Sequence, residues 1–239
     1  MLWHRVAAAD IGGVQTPLFQ NSWIGLSTAP APTGPWSAER KLFTGSMCNA
    51  TDMNDIIGAP ELPLAAQYPG SARLGDCTVF TEPGLLPRSD GIYVSLQCTG
   101  AAKIVLLRCD RTFACAYLGD LLAGSEAAQF SLAGQALDGF AASELVDAGG
   151  QTYLIVTGYE PPPDTYRGCL VFRIADLAAA VVERSAGQPV LVKRVAGTPG
   201  SFNGACGYDA RATGSGILYS EATGSVPQFH LFASHIALP

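Results

Sequence analysis

One pattern occurs twice in this chain and restricts its fold more than any other feature. Glu82-Pro83-Gly84-Leu85-Leu86 runs into Asp90-Gly91-Ile92-Tyr93-Val94, and Ser143-Glu144-Leu145-Val146 runs into Gly149-Gly150-Gln151-Thr152-Tyr153-Leu154. Each copy sets an acid at the head of a short apolar run, then a glycine turn, then a tyrosine-bearing run. Asp-Gly or Gly-Gly between apolar runs signals a hairpin, because glycine takes positive φ without steric cost. The chain therefore holds at least two hairpins of one design, each with an acid near the start of its first strand. Hairpins arranged around an axis bring those acids to one place. Converging carboxylates are what hydrolysis of a glycosidic bond requires.

Short β-rich runs separated by turn residues continue along the chain. Strands are expected near 1–8, 21–28, 38–43, 78–86, 92–98, 103–109, 114–119, 141–147, 152–158, 167–174, 189–195, 205–212, 216–221 and 227–234. Helical periodicity is confined to Ile174–Arg184, where alanines after Asp176 allow a short helix or helical turn. The repeated hairpin groups the strands into units over 76–124, 138–200 and 203–235, the last turning at Gly214-Ser215-Gly216. A repeat of about 40–50 residues built from four antiparallel strands is a β-propeller blade. A β-sandwich also gives evenly spaced strands, but the turn falls at the same offset in successive units, which favours the propeller. The fold class expected is all-β, with four-stranded antiparallel blades in a single domain over 1–239. Residues 1–43 read as the later strands of a blade whose inner strand is missing, so the first blade is expected to be incomplete and the chain truncated. The stretch from Cys48 to Gly75, with Pro60, Pro63 and Pro69, reads as an inter-blade loop.

Charge and cysteines narrow the partners. A net charge of −6 argues against a nucleic-acid backbone, which calls for a basic face. No apolar run approaches the roughly 20 residues of a membrane span, and Met1–Val6 reads as a strand rather than an export signal. Of the seven cysteines, Cys109 and Cys115 flank a turn that a disulfide would close, with buried free thiols as the alternative. No Cys or His spacing indicates zinc. The expectation is an exported protein, secreted or periplasmic, whose export signal lies outside this chain.

The segment Ile24-Gly25-Leu26-Ser27-Thr28-Ala29-Pro30-Ala31-Pro32-Thr33-Gly34-Pro35-Trp36 resembles a first-blade phrase of five-bladed propeller glycoside hydrolases, such as glycoside hydrolase family 43 and its relatives. The resemblance implies five blades and three axial acids: an Asp base, an acid that orients and tunes its neighbour, and a Glu general acid. It implies inversion, with the carboxylates about 6.5–9.5 Å apart. The base would precede Met1. Glu82 stands where the second acid belongs, with Glu replacing Asp, and Thr81-Glu82-Pro83 keeps the family's spacing to Asp90-Gly91. A surface pair with Arg88 is the alternative. Ala141 aligns with the general acid, and Glu144 sits three positions later. That offset turns the side chain to the other face of a strand unless a bulge restores it.

The expected catalytic residues are therefore Glu82 and Glu144, with Asp76, Asp138, Tyr208 and Asp209 as substrate contacts. His4, His230 and His235 read as packed or edge residues. Such folds also take a structural Ca²⁺ on the axis, for which this chain shows no local motif; no other cofactor is implied. The expected activity is acid–base hydrolysis of a polysaccharide or oligosaccharide by a monomer, with no nucleic-acid or membrane partner. The alternative is a propeller that binds carbohydrate without cleaving it.

Overall fold

The structure, a computed structural model, describes residues 1–46, 69–132, 134–160, 165–196, 205–212, 216–223, 228–234 and 238. They form four main antiparallel sheets that follow one another along the chain. The first holds β1 (Leu2–Ile11), β2 (Val14–Leu26) and β3 (Arg40–Thr44) in that order. The second is a four-stranded meander of β4 (Phe80–Arg88), β5 (Gly91–Cys98), β6 (Lys103–Cys109) and β7 (Cys115–Leu122). A small hairpin, β8 (Ser131–Leu132) and β9 (Gln135–Ala136), leads to the third sheet.

That sheet runs β10 (Gly139–Ala148), β11 (Gln151–Glu160), β12 (Thr165–Asp176) and β13 (Val181–Val182). After a ribbon of β14 (Arg184–Ser185) and β15 (Gln188–Pro189), β16 (Leu191–Ala196) returns to pair with β12. The fourth sheet is β17 (Gly207–Tyr208), β18 (Ile217–Thr223) and β19 (Gln228–Ala233). Short 3₁₀ turns at Ser71–Leu74 and Gly124–Gln129 precede the second and third sheets.

Period-two alternation explains how strands apolar on both faces fold here. In β6, Ile104 and Leu106 enter the core between the second and third sheets, while Val105 and Leu107 enter the one between the first and second. In β12, Leu170 and Phe172 face the second sheet, and Cys169 and Val171 face the fourth. The second and third sheets thus bury both faces against their neighbours. The middle core is fixed by Phe130, Phe140 and Phe172, with ring centroids 5.3–6.2 Å apart at steep angles. Burying each such ring contributes roughly 1.5–3 kcal/mol.

The first strands of successive sheets lie side by side, β1 against β4, β4 against β10 and β10 against β17. The tightest approach is at Gly84, where a Cβ would stand 2.3 Å from the Ser143 carbonyl oxygen and 2.9 Å from the Glu144 Cα. A buried hydroxyl pair completes this seam, Ser143 Oγ to Ser95 Oγ at 2.9 Å. Gly84→Ala should therefore cost about 3 kcal/mol, since backbone must move, and lower the melting temperature by roughly 10 °C. Gly75→Ala is the control, because its Cβ would meet nothing closer than 3.5 Å. Equal melting temperatures for the two variants would show that the seam is looser than described.

The helical segment expected over Ile174–Arg184 reduces to one tight turn. β12 continues to Asp176, whose Oδ1 accepts the Ala179 N–H at 3.0 Å, and β13 returns beside it. Ile174, Ala180 and Val182 are buried in the middle core, so packing overrides the helical preference of the alanines. The cysteines form Cys77–Cys98, Cys109–Cys115 and Cys169–Cys206, which replaces the free-thiol alternative for these six. Cys48, Asn49-Ala50-Thr51 and the prolines of 161–163 lie outside the described residues.

Candidate active site

Glu82 sits on a β-bulge. Thr81 pairs with Gln97 and Gly84 with Ser95, so Glu82 and Pro83 together oppose Leu96. Glu82 takes a left-handed backbone, φ 51°. Such a conformation costs a non-glycine residue about 1–2 kcal/mol, and here it is held by the side chain. Oε2 accepts the Ala142 N–H at 2.6 Å, and Oε1 accepts the Tyr166 hydroxyl at 3.3 Å. Burial raises the Glu82 pKa above the usual carboxylate value, and these two hydrogen bonds oppose the rise.

Ala142 is itself an extra residue in β10. Ala141 pairs with Thr157 and Ser143 with Val156, leaving Ala142 unpaired at φ 36°. Phe140 and Leu145 are five positions apart, yet both enter the middle core, which strict alternation forbids and one inserted residue permits. By the same shift Glu144 emerges on the face of Ala141. The bulge that would return Glu144 to the expected face is present, and the Glu82 carboxylate holds it through the Ala142 N–H.

Glu144 is half-buried. Desolvation pushes its pKa up to about 7, against the pull of the Tyr208 N–H that donates to it. Gly207 lies beside it, where a Cβ would be 3.3 Å from Oε2. Glu82 and Glu144 line one cleft of about 430 Å³, together with Leu85, Ala142, Ser143 and Cys206. On the other side of Glu82 a second cleft of about 340 Å³ is lined by His4, Thr81, Gln97, Thr99 and Tyr166. A side pocket of about 160 Å³ adds Ala141 and Tyr159. A larger hollow, about 480 Å³, lies at the opposite end of the second sheet around Asp90 and Arg108 and contains neither acid.

Of the remaining expected residues, Asp76, Asp138 and Asp209 have partners other than the two glutamates, while Tyr208 meets Glu144 through its backbone. Asp76 pairs with the buried Lys103 at 3.2 Å, and Lys103 also approaches Asp120. Asp138 is exposed, and its N–H donates to the Tyr159 carbonyl. Asp209 accepts the N–H and the side-chain N–H of Arg211, which together hold its pKa low. Tyr208 reaches the site through its backbone, while its ring packs on the core between the third and fourth sheets. Arg88, the alternative partner of Glu82, instead pairs with Asp147 at 2.6 Å.

His4 lies on β1, the edge strand of the first sheet, where burial lowers its pKa; it also lines the second cleft. Tyr159, Tyr166 and the Thr81–Gln97 pair were not legible as site residues, because nothing in a strand pattern says which residue faces a seam between sheets. Among the described residues one group of metal-binding side chains clusters, Asp76 with Cys77 and Cys98. Both sulfurs are in a disulfide. The group offers one carboxylate, which does not fit the roughly six to eight oxygens of Ca²⁺.

No family profile matches the chain, and no curated protein matches it in sequence. Solved structures align with it in part. A native arabinanase from Bacillus subtilis aligns over 88% of this chain and 63% of its own, at 13% identity and a TM-score of 0.49. An endo-arabinase from Bacteroides thetaiotaomicron aligns over 90% and 67%, at 11% identity and a TM-score of 0.47. An α-L-arabinofuranosidase from Clostridium thermocellum aligns over 67% and 49%, at 15% identity and a TM-score of 0.45. The chain thus spans about half the length of the last. At this level of similarity no activity passes from these proteins to the chain.

Proposed function

We propose that the chain is a glycoside hydrolase acting on a polysaccharide or oligosaccharide, with its sheets serving as blades of a five-bladed propeller. One observation carries this reading: two half-buried glutamates line a single cleft, and the bulge bearing one is held by the carboxylate of the other. The side-by-side first strands of the four sheets support the blade arrangement. A Glu144 carboxyl with a pKa of about 7 keeps its proton on about half of the molecules at pH 7 and suits the general acid. Glu82 suits the orienting acid, because it fixes the Ala142 bulge two residues ahead of Glu144. Hydroxyl and amide groups of Thr81, Gln97, Thr99, Tyr159 and Tyr166 line the adjoining clefts and match the hydrogen-bonding surface of an uncharged sugar. The three disulfides support an oxidising, extracytoplasmic location.

A second reading, carbohydrate binding without cleavage, is favoured by one residue. Ala141 lines the side pocket at the position the resemblance gives to the general acid. Release of sugars from arabinan, xylan, fructan and galactan separates the two. The hydrolase reading expects one polymer to be cleaved and Glu82→Gln to lose about 10²–10⁴-fold of that activity. Binding to a polymer that survives Glu82→Gln, with no release by the parent chain, would replace it with the binding reading.

A further inference from the structure

Both oxygens of Glu82 are engaged, one by a backbone N–H and one by a phenol. The N–H comes from β10 and the phenol from β12, so two strands of the third sheet fix the plane of a carboxylate on the second. The phenol is delivered deliberately by the local backbone. Tyr166 pairs with Tyr159 across β11 and β12, and the register shifts between that pair and Thr157–Cys169. Gly168, at φ 119°, stands in the shifted stretch. Tyr159 is seated in turn by Gly139, where a Cβ would lie 2.4 Å from the phenol oxygen. Tyr166 also lines both the second cleft, which it shares with Glu82, and the side pocket.

We infer that Tyr166 is a positioning residue for Glu82: its hydroxyl donates to Oε1 and fixes the carboxylate plane that holds the Glu144-bearing bulge. This rests on the reading of Glu82 and Glu144 as a hydrolytic pair. A phenol that donates to a carboxylate favours the ionised form. Removing only the hydroxyl leaves the ring in place and frees one oxygen of Glu82.

The test is Tyr166→Phe in the full chain, assayed on whichever of the four polymers the parent cleaves. A fall in kcat of about tenfold, the loss of one hydrogen bond to a charged group, is expected with KM within about twofold. The acid limb of the kcat profile should move to higher pH, a shift that a purely structural role would not produce. In parallel, NMR titration of ¹³C-labelled glutamate carboxyls should show the Glu82 resonance titrating at higher pH in Tyr166→Phe than in the parent. Wild-type kinetics and an unmoved acid limb in Tyr166→Phe, while Glu82→Gln is inactive, would overturn the inference and leave the hydrolase reading intact. If the parent cleaves none of the polymers, the hydrolase reading fails, and the carboxyl titration alone decides: an unmoved Glu82 resonance overturns the Tyr166 contact, and an upward shift sustains it.

Discussion

Replacing Glu144 with Gln is expected to reduce hydrolysis by about 10²–10⁴-fold while making the chain more stable at pH 8. The two effects share one cause. Burial lifts the Glu144 pKa from 4.5 to about 7, so the folded chain holds a proton that the unfolded chain has released. Between those values the native state binds more protons than the unfolded one, and stability falls as pH rises. Below pH 4.5 both forms are protonated and the side chain contributes no pH dependence. Above pH 7 both are ionised and the whole penalty of a desolvated carboxylate is present. Water reaches one side of Glu144, which lowers that penalty to about 2 kcal/mol.

Gln cannot ionise, and its amide oxygen can still accept the Tyr208 N–H. Denaturant titrations at pH 4, 6 and 8 should give nearly equal stabilities at pH 4 and a gap opening towards pH 8 in favour of Glu144→Gln. A gap that stays constant with pH would mean that Glu144 is solvated like a surface acid. Full activity in the same variant would remove it from the mechanism.

The sequence revealed the strands and the acids but not how the acids meet. Hairpin positions were legible because glycine turns and period-two alternation are local, and strands such as β6 and β11 fall where the pattern puts them. The acids of β4 and β10 stood out as charges at the head of apolar runs. What decides their geometry is a pair of bulges at Glu82 and Ala142. Neither residue is a glycine, so neither advertises its left-handed backbone; the two are joined by the Ala142 N–H that Glu82 accepts, across a seam between sheets. Sequence reasoning could pose the parity question at Ala141 and Glu144 but could not answer it. Tyr166 went unnoticed for the same reason, since its partner is 84 positions away in the chain. The alanines after Asp176 misled in the opposite sense, because a local preference gave way to burial of Ile174 and Val182.

Removing the Cys169–Cys206 disulfide by paired Ser substitution should destabilise the chain by about 4 kcal/mol, from the loop of 37 positions it closes. The same change at Cys109–Cys115, which closes 6 positions, should cost about 2 kcal/mol. The larger difference lies in function. Cys206 lines the cleft, and its N–H donates to Thr157 Oγ1 at 2.9 Å. The next residues, Gly207 and Tyr208, touch Glu144, one by close approach and the other by its N–H. The disulfide therefore ties the wall that contacts the proposed acid to β12 of the third sheet. Without it Tyr208 can withdraw its N–H, which leaves the ionised form of Glu144 less favoured and moves its pKa further up. In Cys169→Ser/Cys206→Ser, hydrolysis should fall well below what the fraction of folded chain explains, and the alkaline limb of the rate profile should shift to higher pH. Cys109→Ser/Cys115→Ser, remote from both glutamates, should lose stability alone. If both pairs lowered activity only in proportion to unfolding, the fourth sheet would have no part in setting the acid, and the Glu144 site would have to be built from the second and third sheets.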